Sequence, residues 1–420
     1  MHLFGLNIPD LLYSLWHGTI DCDTKNGDSK ALWDWVAAAR HYLPGSFDRP
    51  PRNPADKISS GYKCWEFLNW FYGLAPAMLY GKLPGRYWAN YCKLVAGARI
   101  VFQWESTLCQ REHAHLLLCT FVDEYERIYV QQKIARMHFV PQCIHAVRHT
   151  PSETLRIGSL ICTSQFTMEH IIGDLGGEIR QPSNPYANLS ERALRRARVN
   201  ALTAMLLDLE GNATLSKVPR VDLGDGFSLL HPREDRPRQG LVGMVRAREV
   251  WVEMMCSRVQ RWARCRLPNS QVCRSAWKEV HNGMTRISRN VKYAIPSSAA
   301  RERSFGYAEV QYYFRCKIGS VIYTLAIVSR YSAPNEDLLQ ESSGAVWACC
   351  MSETERERLA VIDIKSILSC VAMIPCASLP HPHATNGQTV YFVMEKLSVD
   401  HGPGLDSHVP ETDENGHELE

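Results

Sequence analysis

The chain has 420 residues, 45% of them hydrophobic, which is enough for a buried core and for two or three domains. Its net charge is +3, with 22% charged and 10% aromatic residues, the balance of an ordinary globular protein. No apolar run approaches the roughly 20 residues of a membrane span, and residues 1–16 lack the basic lead and small-residue cleavage site of a signal peptide, so neither a membrane-spanning nor a signal-bearing chain is expected.

Residues 1–20 are predicted to be helical and buried, with Leu3, Leu6, Leu11, Leu12, Leu15 and Trp16 on overlapping faces. The stretch 44–54 holds four prolines and a glycine and is expected to be loop. From Lys57 to about His149 the pattern is helical: a first part rich in Trp65, Phe67, Trp70 and Phe71, then helices around 86–102, 112–136 and 141–149. Ser164 precedes a helix whose stripe is Phe166, Met168, Ile171, Ile172 and Leu175, ended by Gly176-Gly177. Asn188 with Glu191 reads as the capping box of a helix carrying Arg192, Arg195, Arg196 and Arg198.

Residues 211–245 are rich in Gly and Pro and read as a linker. A basic helix is expected over about 245–265. After Ser304 the character turns to β, with runs at 307–314, 321–331, 345–350, 359–374 and 389–395, suggesting a small barrel or strongly curled sheet. From Asp400 on there are seven acids and no Lys or Arg, the composition of a disordered acidic tail.

Fifteen cysteines include no C-x-x-C pair, so they are expected to be small buried apolar residues in a reducing compartment rather than a zinc site. His145 and His149 stand four apart, without the acid of an H-E-x-x-H motif, and are expected to make hydrogen bonds. Two basic groups suggest contact with a polyanion. One is the helix face with Arg192, Arg195 and Arg196. The other is 246–292, where eleven basic side chains outnumber three acids and Trp251, Trp262 and Trp277 lie among them.

Three stretches together resemble one family: 8–23, with Ile8-Pro9-Asp10-Leu11-Leu12 leading to Leu15-Trp16-His17-Gly18-Thr19; 43–54, with Leu43-Pro44-Gly45-Ser46-Phe47; and Gln181-Pro182-Ser183-Asn184-Pro185-Tyr186-Ala187-Asn188-Leu189. They resemble the carboxy-terminal half of fungal Plavaka-type transposases, relatives of the CACTA elements, over roughly residues 1–400. The resemblance implies a nuclear, DNA-acting protein with an RNase H-like core and a three-acid DDE site that uses Mg2+. Glu169, in Thr167-Met168-Glu169, would be the third acid and a metal ligand. Met1-His2-Leu3 would match the end of a motif that follows the second acid, which places the first two acids upstream. This sequence departs from the family pattern as His17 and His170, where the family has Arg.

On that reading the fold is α+β: a partial RNase H-like core (1–56) and a large all-helical insertion (57–150), then helices completing the core (151–210). A linker (211–245), a basic helical region (246–300), a small β-barrel-like domain (301–398) and the acidic tail (399–420) follow. The expected function is that of an amino-terminally truncated, catalytically inactive transposase-derived protein that retains a DNA-binding surface. Arg192, Arg195, Arg196, Arg198, Arg258, Arg261, Arg264, Arg266 and Lys278 would contact DNA, either transposon ends or any sequence. No cofactor is expected in this chain, and a homo-oligomer is one partner option. A rival reading makes it a domesticated chromatin- or partner-binding protein acting through the β domain, with Tyr307, Tyr312, Tyr313 and Tyr331 as an aromatic cage. A third, a complete hydrolase, would use Asp10, Asp21 and Asp23 with Glu169.

Overall fold

The computed structural model describes residues 2–16, 29–47, 49–53, 62–179, 183–206, 220–233, 244–247, 250–253, 260–279, 286–295, 304–318, 320–351, 359–382 and 388–397. It is a mixture of helices and antiparallel sheet, an α+β protein.

Helix α1 (Ile8–Trp16) continues a π-turn at Leu3–Asn7. Phe4, Ile8, Leu12 and Leu15 recur at three- and four-residue spacing and are buried. Trp16 is buried too, and its Nε1 donates to Tyr129 Oη at 2.8 Å. After α2 (Ser29–Ala38) the chain reaches α3 (Cys64–Asn69), whose first turn is closed by Glu66. The Glu66 carboxylate accepts from the Lys63 N–H at 2.8 Å and from Arg52 Nε at 2.6 Å.

A π-turn at Trp70–Leu74 leads into α4 (Ala75–Met78), which carries Pro76 in its first turn. Proline has no N–H to give back to the preceding turn, so carbonyls there lose their helical donor. They are taken by the next helix, α5 (Gly85–Val101): Tyr91 Oη donates to Phe71 O, and Arg99 Nε and Nη2 donate to Tyr72 O at 3.0 and 2.8 Å. Helix α6 (Leu108–Tyr125) opens on a capping box of Thr107 and Gln110 and packs on α5. Gly97 permits the close approach, because an added Cβ would stand 2.6 Å from Leu118 Cγ. Short helices α7 (Gln142–Val147), α8 (Thr150–Ile157) and α9 (Leu160–Thr163) follow. Helices α10 (Phe166–Gly177) and α11 (Pro185–Met205) then form a hairpin.

The strands are β1 (Arg220–Gly224), β2 (Phe227–Arg233), β3 (Met244–Ala247), β4 (Val250–Glu253), β5 (Gln260–Arg266), β6 (Val272–Arg274) and β7 (Asn290–Ile295). They continue with β8 (Ser304–Ile318), β9 (Val321–Arg330), β10 (Ala348–Cys350), β11 (Leu359–Asp363), β12 (Ile367–Pro375) and β13 (Val390–Glu395). Helix α12 (Ala276–Glu279) lies between β6 and β7, and α13 (Glu336–Glu341) between β9 and β10. The main path runs β1-β2-β5-β8-β7-β12-β13-β10. The long β8 carries β9 along one edge and divides the other between β7 and β5. Strand β11 pairs with β9, yet after one turn at Ile364–Ser366 the same segment becomes β12 and pairs with β7. The sheet is therefore strongly curled, with β11 and β12 joining the outer edges of β9 and β7.

Along the last strands the side chains turn alternately to the two faces of the sheet, with the period of two that a pleated backbone imposes. Ala372 and Ile374 of β12, and Val390, Phe392 and Met394 of β13, face the same core as Phe4, Trp70 and Tyr91 of the helices. Val371, Met373 and Val393 face the other way, toward Tyr307 and Cys349. Both faces are covered, which is why 370–375 reads in sequence as an unbroken apolar run. A further core holds Trp262, Cys265, Cys273, Tyr313 and Cys370.

Several expectations are corrected. The basic helix at 245–265 is instead strands β3, β4 and β5; Val245, Val250, Trp251 and Val252 supply the β-branched and aromatic content, and Arg261, Arg264 and Arg266 of β5 stay half-exposed. Within 211–245, β1 and β2 form a hairpin that joins the main sheet. Helix α11 starts at Pro185 behind Asn184, one turn before the expected Asn188–Glu191 box, because Pro is well placed in a first helical turn. Along the apolar stripe of α10, Met168, Ile171 and Ile172 are exposed, Met168 being 60% accessible.

Candidate nucleic-acid interface

Helix α11 contains no buried residue, so tertiary packing does not hold it in place along its length. What fixes it is Arg196. Its guanidinium reaches back to α10, with Nη2 3.0 Å from Glu178 Oε1 and Nη1 3.5 Å from Asp174 Oδ2. Helical geometry puts residues 192 and 196 one turn apart on the side nearer α10, where both are half-exposed, while Arg195 and Arg198 are exposed. Arg192, Arg195 and Arg198 have no ion pair or hydrogen bond among the described residues. The predicted arginine group thus divides into one latch and three charges with no partner among the described residues. Between them the helix exposes Leu194, Val199, Leu202 and Met205.

Glu169 lies on α10, the partner helix of the same hairpin. Its side chain, like that of His170, lies outside the described residues. Asp10 is exposed on α1, and Asp21 and Asp23 lie outside the described residues, as does Arg258. Among the described residues no three His, Cys, Asp or Glu side chains converge to hold a metal ion.

The second predicted basic group is used mainly inside the fold. Arg264 Nε donates to His231 O at 2.6 Å. Arg274 is buried, and Arg266 is half-buried with its Nε unpartnered. Arg286 donates to Leu43 O at 2.8 Å and to Pro44 O at 2.5 Å, and Gly45 N–H donates to Ser288 Oγ at 3.2 Å, so the proline-rich loop is sewn onto the β region. Arg289 lies between Glu309 at 2.6 Å and Glu279 at 3.1 Å. Burial raises the Glu279 carboxyl above its ordinary value, against the Ser288 N–H and Arg289, which lower it. Lys292 pairs with Glu395 at 3.0 Å.

Three basic groups from this region lie against aromatic rings, Lys292 Nζ being 4.1 Å from the Phe305 ring centre. Arg261 lies 4.7 Å from the Trp277 ring centre and 5.5 Å from that of Tyr312, and Lys278 Nζ is 4.8 Å from Trp277. Sequence reading placed Trp277 among the basic residues but did not pair it with Arg261, which the register of β5 sets opposite Phe314 of β8. The four tyrosines of the suggested cage are not brought together. Tyr313 is in one core, donating to Cys273 O at 3.3 Å, whereas Tyr307 is in another and donates to Glu395 Oε1 at 2.5 Å. Tyr331 donates to Asn290 Oδ1 at 3.1 Å.

Comparison with protein-family models, with curated proteins and with solved structures finds no match to this chain.

Proposed function

We propose that the protein binds DNA through the α10–α11 hairpin, as a transposase-derived protein whose resemblance lies in the motifs at 8–23, 43–54 and 181–189. The observation that carries this reading is the division of the α11 arginines. Arg196 is neutralised by Asp174 and Glu178, whereas Arg192, Arg195 and Arg198 have no counter-charge among the described residues. A helix row of guanidinium groups with no internal partner suits the phosphate backbone, which it can track without reading bases. The Arg261–Trp277–Lys278 stack offers a second basic and aromatic contact. On the same resemblance the core would be RNase H-like, the late strands barrel-like, and the protein nuclear. Glu169 would be the carboxylate that a complete family member directs at Mg2+.

The test is binding of a short fluorescent DNA duplex across a salt series. The wild-type chain is expected to bind with log affinity falling linearly in log salt. Each phosphate contact contributes a slope of about 0.9, so replacing Arg192, Arg195 and Arg198 together by alanine should reduce the slope by about 2 to 3. An unchanged slope and affinity in the triple variant would remove the hairpin from the interface. Absence of any salt-dependent binding by the wild type would sink the DNA reading as a whole.

A further inference from the structure

His145 is in the last turn of α7, and His149 directly precedes α8. The backbone between them is not loose. Arg148 N–H donates to His145 O, His149 N–H to Ala146 O and Glu153 N–H to His149 O, at 3.2, 3.2 and 3.0 Å. The junction is also anchored on its inner side, where Ile144, Val147, Thr150 and Pro151 are buried. Arg148 is tied to Asp123 of α6 at 3.2 Å. Both imidazoles project outward from this fixed segment and are exposed. Their Nε2 atoms are 3.1 Å apart, with ring centres 4.9 Å apart and planes at 66°.

Two imidazole nitrogens at that separation either share one proton or both offer lone pairs to a cation. Metal–nitrogen bonds of about 2.0–2.1 Å meeting at square or tetrahedral angles place the two donors about 2.9–3.4 Å apart. The observed spacing falls within that bite. Imidazole is a ligand suited to late first-row ions, and two histidines four apart on one helical face form a recurrent chelating pair. We propose that His145 and His149 form a chelating site for a divalent late first-row ion, Zn2+ or Cu2+, bound through both Nε2 atoms. Because the pair faces solvent, water completes the coordination sphere. Burial on one side and the Arg148–Asp123 pair hold the backbone, so the chelate is largely formed before the ion arrives.

Zn2+ titration of the full chain against a chromophoric chelator tests this. The wild type should bind one Zn2+ equivalent at least about tenfold more tightly than His145→Ala or His149→Ala, since loss of a supporting group alone costs about 10- to 100-fold. The double variant should lose little more than either single one, because a lone imidazole is no chelate. His149→Gln separates the two readings of the pair. It retains a hydrogen-bonding side chain, so it should keep the fold by circular dichroism while losing the Zn2+ equivalent. Equal affinity in wild type and His149→Gln, or independent and additive losses in the two alanine variants, would overturn the site.

Discussion

The Arg99 guanidinium holds the Ala345 carbonyl at 2.8 Å across 246 residues of sequence, and with its other nitrogens it holds Tyr72 O. One side chain thus serves a helical turn broken by Pro76 and also docks the segment that leads into β10. Replacing Arg99 by methionine keeps the bulk but strands both carbonyls. Hydrogen bonds from a charged donor contribute about 1.5–3 kcal/mol each, so the variant should lose about 3 kcal/mol, read as a lower urea midpoint. Arg99→Lys should not restore it, since one ammonium cannot span both acceptors. A wild-type midpoint for Arg99→Met would show that the contact carries no weight.

Gly97 and Leu118 make a second test, with a change of sign. Alanine at 97 gains about 1 kcal/mol of helix propensity but forces Leu118 aside in a packed core, at about 1–3 kcal/mol. Gly97→Ala is therefore expected to destabilise the wild-type chain and to stabilise a Leu118→Ala background. A double-mutant cycle by urea unfolding measures the coupling. Two effects of the same sign would mean that the helices separate without cost.

Glu66 sets a pH dependence. Burial pushes its carboxyl up, but hydrogen bonds from the Arg52 side chain and from the Lys63 and Arg52 N–H groups outweigh that and hold it below its ordinary 4.5. A depressed carboxyl stabilises the fold above the unfolded value and loses that contribution as pH falls through the folded one. Stability should therefore drop as pH is lowered below about 4.5, and Glu66→Gln should be less stable at neutral pH with a flatter acid limb. Parallel acid limbs in the two proteins would refute the assignment.

Arg195 and Arg196 are adjacent in sequence but are expected to behave differently. Arg196→Ala breaks the link to Asp174 and Glu178 and should raise amide exchange in both helices of the hairpin. Arg195→Ala should leave exchange unchanged and reduce only the salt slope of DNA binding, by about one contact. Indistinguishable behaviour of the two variants would contradict the division of the arginines into latch and contact.

Alkylation should follow burial. Cys109 and Cys162 are exposed, whereas Cys265, Cys273 and Cys370 are buried, and Cys273 Sγ and Cys370 Sγ are 3.0 Å apart. Burial raises the Cys273 thiol well above its ordinary value, which suppresses the reactive thiolate. Site-mapped iodoacetamide labelling should modify Cys109 and Cys162 in the native protein and Cys273 only after unfolding.

Much of the helical region was legible in the sequence because its periodicity is strong. The pattern around 86–102 corresponds to α5 at Gly85–Val101, and that of 1–20 to α1. The strands at 307–314 and 321–331 were legible for the same reason, being rich in aromatic and β-branched residues. The stretch 245–265 was misread because its arginines suit a helix by local propensity, while the pairing partners that favour a strand, Leu229 and Tyr313, lie far away in sequence. The arginines at 192–198 were identified as a basic face, but which of them is neutralised depends on Asp174 and Glu178 across a turn. A helical wheel of one segment does not contain that information. Likewise the Arg261–Trp277 stack follows from sheet register, which sequence spacing does not set.

The core begun by Phe4, Trp70 and Tyr91 is finished by Leu338, Ala372, Phe392 and Met394. On the ribosome this fixes an order of events. The helices emerge first and then wait for about 250 residues of synthesis, from Val147 to Met394, about 12–50 s at 5–20 residues per second, before their last apolar face is covered. During that interval the nascent chain presents a sticky surface to chaperones and to its neighbours on the polysome. Chains ended before residue 338 would keep that surface permanently, and their yield in soluble form should depend on holdase supply rather than on the quality of the helices themselves.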